Sequence, residues 1–172
     1  MKKILSIAIA CFFTWNYSLA QTNGNESKIG LGLEAAFPVG NFKDIADYGI
    51  GVSLLYQKPV AKNLIITGNV GYIRFQGPAV FSNIKYKQGF VPIKAGARYF
   101  IIPHVYVAGE LGISISTANG YGSGTSFTYA PGLGAEFPVS GTGTIDIGLR
   151  YESWSRSTGT LSFPGLRAGY NF

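Results

Sequence analysis

Alternation of polar and apolar residues with a period of two is the feature of this sequence that most constrains its fold. Between Val105 and Ser116, one side of the pattern is mostly large and apolar, whereas the other is mostly small or polar. Because successive side chains of a β-strand point to opposite faces, this segment predicts a two-faced strand. The same pattern recurs in residues 28–37, 48–57, 64–75, 89–100, 126–137, 144–154 and 161–172. The sequence therefore predicts an all-β chain of eight strands.

The connections between these strands alternate in length. One set covers residues 38–47, 76–88, 117–125 and 155–160, and a generally shorter set covers 58–63, 101–104 and 138–143. Each shorter connection contains a proline (Pro59, Pro103 or Pro138), whose fixed φ suits a turn. An even number of antiparallel strands, with long loops at one end and short turns at the other, predicts an up-and-down barrel of the outer-membrane type.

The composition agrees with a β protein and excludes two other classes. The chain has 172 residues, which is enough for one domain. Charged residues make up 13%, about half the usual share of roughly 25%, and this argues against a disordered chain, which is rich in charge. The 24 glycines argue against a helical bundle, because each costs a helix about 1 kcal/mol relative to alanine.

Residues 1–20 have the composition of a secretory signal peptide, which we expect to be cleaved. Two lysines precede an apolar run of about ten residues, short against the roughly 20 that a membrane-spanning helix needs. Small residues at Ser18 and Ala20 suit a signal peptidase. Cleavage before Cys11, as in a lipoprotein, is a weaker alternative because Ala8 stands where a leucine is preferred.

The mature chain is then residues 21–172, a single barrel domain without cysteine. It offers neither a disulfide nor a thiolate ligand for a metal. Without the two leader lysines, 12 of the 14 basic groups remain against 8 acidic groups. This excess is too small to suggest a nucleic-acid partner.

Alternation alone fits two kinds of barrel, because a soluble barrel is apolar inside whereas a membrane barrel is apolar outside. The polar side of these strands consists largely of glycine and serine, which suits a narrow interior and lacks the charge of a water-facing surface. The apolar side is bulky and carries aromatic residues near the strand ends, as at a membrane interface. We predict an aromatic girdle of Tyr48, Tyr56, Tyr72, Tyr99, Phe127, Phe137 and Tyr151.

The chain finishes on an alternating strand that contains Leu166, Ala168, Tyr170 and Phe172. In this strand and in its topology, the sequence resembles small bacterial outer-membrane barrels of the OmpX and OmpW kind, and the OmpA membrane domain. The resemblance implies an integral outer-membrane protein. It also implies that Tyr170 and the terminal Phe172 belong to the signal that the barrel-assembly machinery reads.

Charged residues on the polar side of the strands would face the barrel interior. They are Lys28, Glu34, Lys94, Arg98, Glu110, Glu136, Asp146, Arg150, Glu152 and Arg167. Basic and acidic groups are equal in number, as the cost of burying an unpaired ion requires. The expected pairs are Lys94 or Arg98 with Glu110, Glu136 with Arg150, and Arg167 with Asp146, Glu152 or Glu34. Such a network would plug the lumen, or would form a narrow gate if its pairs can exchange.

The longest connection, residues 76–88, contains candidate contact residues: Phe81, Lys85, Tyr86 and Lys87. Basic groups near the outer leaflet could pair with lipopolysaccharide phosphates, and apolar groups above the membrane could bind a surface partner by strand addition. We therefore expect a structural or surface-interaction role through the extracellular loops. The likeness to OmpW implies an alternative, a narrow conduit for small apolar solutes, supported by Gly112, Gly132, Gly134 and Gly148.

Catalytic constellations are nearly absent from the sequence. His104, the one histidine, lies in a short turn, at the end opposite the outer rim where a lipid-modifying barrel enzyme needs its base. Neither a G-x-S-x-G nor an H-E-x-x-H spacing occurs. We expect no catalytic site, metal or cofactor, and an outer-membrane lipid enzyme is the least supported function.

Overall fold

The structure, a computed structural model, describes residues 26–81, 84–118, 123–140, 143–157 and 159–172. The predicted signal peptide, with Cys11, lies outside these residues. The strands are β1 (Lys28–Ala36), β2 (Tyr48–Ala61), β3 (Leu64–Phe81), β4 (Ile84–Ile102), β5 (Val105–Ser116), β6 (Thr125–Ser140), β7 (Gly143–Arg156) and β8 (Gly159–Asn171). A short 3-10 helix, Gly40–Phe42, lies between β1 and β2. Among the described residues, no helix has the length and apolar composition needed to cross a bilayer.

Each strand pairs antiparallel with the next, and β1 pairs with β8, so that the sheet closes into a barrel. Glu34 of β1 lies opposite Gly51 of β2 on one side and Arg167 of β8 on the other. Closure leaves no strand edge along the wall, and this is what a bilayer requires of a sheet. The predicted eight-stranded antiparallel barrel is confirmed.

The outer wall is apolar and the interior is polar. On β1, the side chains of Leu31 and Leu33 are 57% and 68% exposed, whereas Glu34, on the opposite face of the strand, is 7% exposed. The same division holds on β7, where Leu149 and Tyr151 face outward and Glu152 is buried. A large exposed apolar surface on a closed sheet is stable only against acyl chains, so the barrel spans a membrane.

Interior glycines give space to large side chains. A Cβ on Gly32 would lie 2.7 Å from Arg167 Nε, and one on Gly169 would lie 2.7 Å from Arg167 Nη1. A Cβ on Gly165 would lie 3.2 Å from Arg150 Cζ. These inward-facing glycines thus leave the space that the guanidinium groups of Arg150 and Arg167 occupy in the lumen.

Several strands are longer than the alternation predicted, so the predicted bounds of two connections, 58–63 and 138–143, are wrong: β2 continues to Ala61 and β6 continues to Ser140. Pro59 and Pro138 lie inside β2 and β6, each directly beside a shift in the pairing register, and only Pro103 lies in a turn. A proline tolerates this position because the ladder hydrogen bonds are already interrupted at a bulge.

The predicted loop 76–88 is also wrong, because these residues continue the β3–β4 ladder. Gln76 pairs with Lys87, Ala79 with Lys85 and Phe81 with Ile84, with two register shifts along the way. The two strands continue to pair with each other beyond the membrane, where lipid no longer requires alternate residues to be apolar. The period-two pattern therefore does not predict this extension of the strands.

Candidate functional site

The interior charges form one continuous row in which acidic and basic groups alternate. In order of contact, the row is Glu110, Lys94, Glu152, Arg150, Glu34, Arg167, Asp146, Arg98 and Glu136. Each of the four cations contacts two carboxylates. The row joins residues from β1, β4, β5, β6, β7 and β8, so it ties distant parts of the wall together.

The first half of the row centres on Glu152. Lys94 Nζ lies 2.8 Å from Glu110 Oε2 and 2.9 Å from Glu152 Oε2. Arg150 donates through Nε to Glu152 Oε2 at 2.6 Å and through Nη1 to Glu34 Oε2 at 2.5 Å. Glu152, with its side chain 1% exposed, also accepts from Trp154 Nε1 at 2.7 Å.

The second half of the row centres on Asp146, whose side chain has no exposed surface. Its Oδ2 accepts from Arg167 Nη1 at 2.5 Å and from Arg98 Nη2 at 3.0 Å, and its Oδ1 accepts from the Tyr106 hydroxyl at 2.6 Å. Arg98 Nη1 donates to Glu136 Oε1 at 2.9 Å, and Arg167 Nε lies 3.7 Å from Glu34 Oε1. Every buried charge of the row is thus compensated.

The row and its neighbours fill the lumen. The space beside Arg98, Tyr106 and Arg150 has a volume of about 40 Å³, and the space beside Lys94 and Glu34 about 10 Å³. Such volumes hold at most one or two water molecules. Removal of one member of a buried, hydrogen-bonded pair costs about 3–5 kcal/mol, because its partner is left as an unpaired charge.

The predicted partners are present in part. Lys94 contacts Glu110, and Arg167 contacts both Asp146 and Glu34. The expected pair of Glu136 with Arg150 is wrong. On the β6–β7 ladder Arg150 lies opposite Gly132, whereas Glu136 lies opposite Asp146, nearer the end with the short turns. Arg98 takes the place of Arg150 beside Glu136, and Lys28, half-buried at the start of β1, lies opposite Gln57 outside the row.

A cluster of aromatic side chains, which we call the aromatic cap, fills the barrel at the end with the longer loops. Its members are Phe42, Phe75, Phe90, Trp154 and Phe163. The ring centroids of Phe42 and Phe75, and those of Phe90 and Trp154, are 4.7 Å apart. All five side chains are at most 1% exposed. The cap closes the lumen above the row of charges.

Our sequence reasoning missed the aromatic cap. The alternation does place Phe75, Phe90, Trp154 and Phe163 on the inward side of their strands, so parity could have found these four. Phe42 comes from the 3-10 helix in the first loop and packs on Phe75 and Phe163, a position that carries no periodic signal.

The residues proposed for the aromatic girdle all lie on the outer wall, with exposures of 43% to 54%. Tyr72 differs from the others in its height, because β3 continues to Phe81 and Tyr72 is therefore in the middle of its strand. Tyr170 and Phe172 also face outward, and their rings are 4.9 Å apart. Contact with the assembly machinery stays a prediction.

The paired strands β3 and β4 extend beyond their neighbours. The pairing of β3 with β2 stops at Gln76, which lies opposite Tyr48. The pairing of β4 with β5 stops at Phe90, which lies opposite Ser116. Residues 77–81 and 84–89 therefore form a two-stranded extension, which we call the β3–β4 hairpin.

The four predicted loop contacts lie in this hairpin rather than in a loop. Phe81 ends β3, and Lys85, Tyr86 and Lys87 lie near the start of β4. Tyr86 packs against the aromatic cap and its hydroxyl donates to Gln88 Oε1 at 2.7 Å, whereas Lys87 is exposed. Burial raises the pKa of the Tyr86 phenol, and the nearby charge of Arg156 opposes part of that rise.

His104 occupies a two-residue turn at the opposite end of the barrel. Its φ of 74° is in the left-handed region, its carbonyl accepts from the Glu136 amide at 2.8 Å, and its ring stacks on Phe137 at 6.5 Å. These contacts shape the turn, and they hold the imidazole away from the outer rim.

No model of a known protein family and no curated protein matches this sequence. Three solved structures resemble the barrel over nearly their whole length. Ail, the attachment invasion locus protein of Yersinia pestis, has a TM-score of 0.60 at 21% identity, over 86% of this chain and 99% of its own. Neisserial surface protein A has a TM-score of 0.57 at 15% identity, over 87% of this chain and 98% of its own. The outer membrane protein OprG of Pseudomonas aeruginosa has a TM-score of 0.56 at 12% identity, over 90% and 99%.

The fold is that of the small outer-membrane barrels. Together with the apolar outer wall, this fold makes the protein an integral outer-membrane barrel, in agreement with the sequence-based expectation. In such barrels the short turns face the periplasm and the longer loops face the outside. The aromatic cap and the β3–β4 hairpin are accordingly at the extracellular end, and His104 is at the periplasmic end.

Proposed function

We propose that this outer-membrane barrel has a closed lumen and acts through its extracellular surface, in a structural or surface-interaction role. The observation that carries the proposal is the β3–β4 hairpin, which stands beyond the rest of the wall. Apart from the contact of Tyr86 with the aromatic cap, the described residues of the hairpin take no part in closing the barrel. Its position is suited to contact with something outside the cell.

The edges of the hairpin offer a means of contact. In the described part of the chain, β3 beyond Gly77 has no pairing with β2, and β4 before Gly89 has none with β5. Unpaired strand edges present rows of N–H and C=O groups that accept an added strand. An extended segment of a partner protein is the ligand that such an edge fits.

Lipopolysaccharide is the second partner we propose. Arg74 and Lys87 are exposed on the adjacent strands β3 and β4, in the extracellular half of the outer wall. Both would meet the phosphates of the outer leaflet, where each basic group near an anionic surface contributes about 1 kcal/mol. Replacing Arg74 and Lys87 with glutamine should reduce the lipopolysaccharide that copurifies with the barrel, and unchanged retention would argue against this contact.

The alternative of a conduit for small apolar solutes has less support. Its small interior positions are already in use: Gly134 and Gly148 lie against Tyr106, and Gly132 lies against Arg150. With the aromatic cap above them, these contacts leave no continuous route along the axis among the described residues.

A shortened hairpin tests the proposed role. Because Gln76 pairs with Lys87, residues 77–86 can be replaced by Asn-Gly, which closes a two-residue turn at this register. We expect the variant to insert normally, shown by its heat-dependent migration on gels, and to lose the attachment to protein-coated surfaces that cells with the complete protein show.

Uptake of small apolar solutes should be the same in a deletion strain, in cells with the complete protein and in cells with the shortened hairpin. Normal attachment by the shortened variant, combined with lost uptake in the deletion strain, would replace the proposed role with the conduit.

A further inference from the structure

One inward-facing cation differs from the four in the row of charges. Arg156 ends β7, two residues beyond Trp154 on the same face of the strand. Its Nε donates to Ser126 Oγ at 3.0 Å, and its Nη2 is buried without a hydrogen-bond partner among the described residues. Lys94, Arg98, Arg150 and Arg167 each contact two carboxylates, whereas the described residues supply Arg156 with none.

The described residues near Arg156 (Tyr86, Gly124 and Ser126) are uncharged. Tyr86 donates to Gln88, and Gln88 Nε2 donates to Ser116 Oγ at 2.7 Å, so hydroxyl and amide groups line the extracellular mouth above the aromatic cap. Gly124 has a φ of 136°, and a Cβ there would lie 3.4 Å from Arg156 Nη1. The absence of a side chain at this glycine leaves room beside Arg156 Nη1.

The direction of Arg156 separates it from the lipid-facing cations. Arg74 and Lys87 point outward from the wall, toward the lipid leaflet, whereas Arg156 lies on the inward face at the mouth. Lipid headgroups lie around the barrel wall, so a ligand reaches Arg156 from the solvent above. The acidic residues of the first loop, Asp44 and Asp47, form no ion pair with it.

We propose that Arg156 is the centre of an anion-binding site at the extracellular mouth, which takes the phosphate or sulfate monoester group of a ligand from the solvent side. A guanidinium binds such a group through two parallel N–H···O bonds, and these charge-assisted bonds are about twice as strong as neutral ones. The residue is only half-buried, so a small rotation presents Nη1 and Nη2 to two ligand oxygens while Ser126 holds Nε. This deepens the proposed surface role by naming the chemistry of one ligand.

The test uses the full protein, purified from outer membranes and placed in phospholipid nanodiscs. Glucose 6-phosphate and dextran sulfate serve as probes, with glucose and dextran as uncharged controls. The Nε–Hε signal of Arg156 should shift saturably with both charged probes, whereas the signals of Arg98, Arg150 and Arg167 stay fixed. Arg156→Gln should weaken binding of both probes at least tenfold, and Lys43→Gln, which removes one positive charge from the exposed first loop at the same end of the barrel, should change it less than twofold.

Each other outcome overturns the proposal. An unmoved Arg156 signal means that water satisfies Nη2, and equal losses in the two variants mean nonspecific attraction to positive charge. A shift of Arg156 when lipid A is added to the nanodisc, without any probe, assigns the phosphate to the membrane. If Arg156→Gln fails to insert, Ser126→Ala must weaken probe binding, and unchanged binding then refutes the site. Because the NMR signal reports on Arg156 alone, a negative result refutes the anion site without refuting the role of the hairpin, which the shortened variant tests separately.

Discussion

Replacement of Arg98 tests whether the row of charges stabilises the barrel as its geometry indicates. Arg98→Met removes the bonds to Glu136 and Asp146 and the contact of the guanidinium with the Tyr106 ring, whose centroid is 4.3 Å away. Asp146 keeps Arg167, but Glu136 loses its one cation in the described structure and keeps only amide donors, such as Gln57 Nε2 at 3.1 Å. An uncompensated buried carboxylate costs about 3–5 kcal/mol, and the remaining amide bonds place the expected loss near the lower limit, at about 3 kcal/mol.

The loss is measured by urea unfolding of the barrel in lipid vesicles. Trp154 reports the transition, since the other tryptophan, Trp15, lies in the predicted leader. Arg98→Met combined with Glu136→Gln should recover part of the loss, because the unpaired charge is then gone. Arg74→Met on the outer wall is the matched control and should change the free energy of unfolding by less than about 0.5 kcal/mol. A loss below 1 kcal/mol for Arg98→Met, or an equal loss for the control, would refute the reasoning.

Two further substitutions test the packing of the lumen. Gly32→Ala should lower the free energy of unfolding by about 1–3 kcal/mol because its Cβ would press on the Arg167 guanidinium, whereas Gly68→Ala, with no atom within 4 Å of the new Cβ, should cost nothing. Phe42→Ala should cost about 3–5 kcal/mol and should open the aromatic cap, so that acrylamide quenches Trp154 fluorescence more strongly. Equal urea midpoints for the two alanine variants, or unchanged quenching, would contradict these two expectations.

The period-two alternation was enough to predict the barrel and to assign its faces. Lipid outside and a narrow lumen inside impose opposite demands on successive residues, as Leu33 and Glu34 illustrate. The β3–β4 hairpin was not predicted, because residues beyond the membrane pair with each other without any such demand.

Charge partners were predictable only where the two residues lie close on neighbouring strands, as Lys94 and Glu110 do. Across the lumen, which charged residues pair depends on their relative positions along the barrel axis, and the tilt of the strands sets those positions. The sequence order does not record those positions, and Glu136 therefore contacts Arg98 rather than Arg150. Arg156 was not singled out because the alternation predicted a loop at residues 155–160, whereas β7 continues to Arg156.

The arrangement of signs along the axis has an electrical consequence. Both ends of the row are carboxylates, and five acidic groups against four basic ones give it one net negative charge. Lys28 at the periplasmic opening and Arg156 at the outer opening place positive charge on either side of it. We therefore expect a small cation to be repelled on entry and a small anion to be repelled midway, so that the charge profile opposes the passage of ions of both signs.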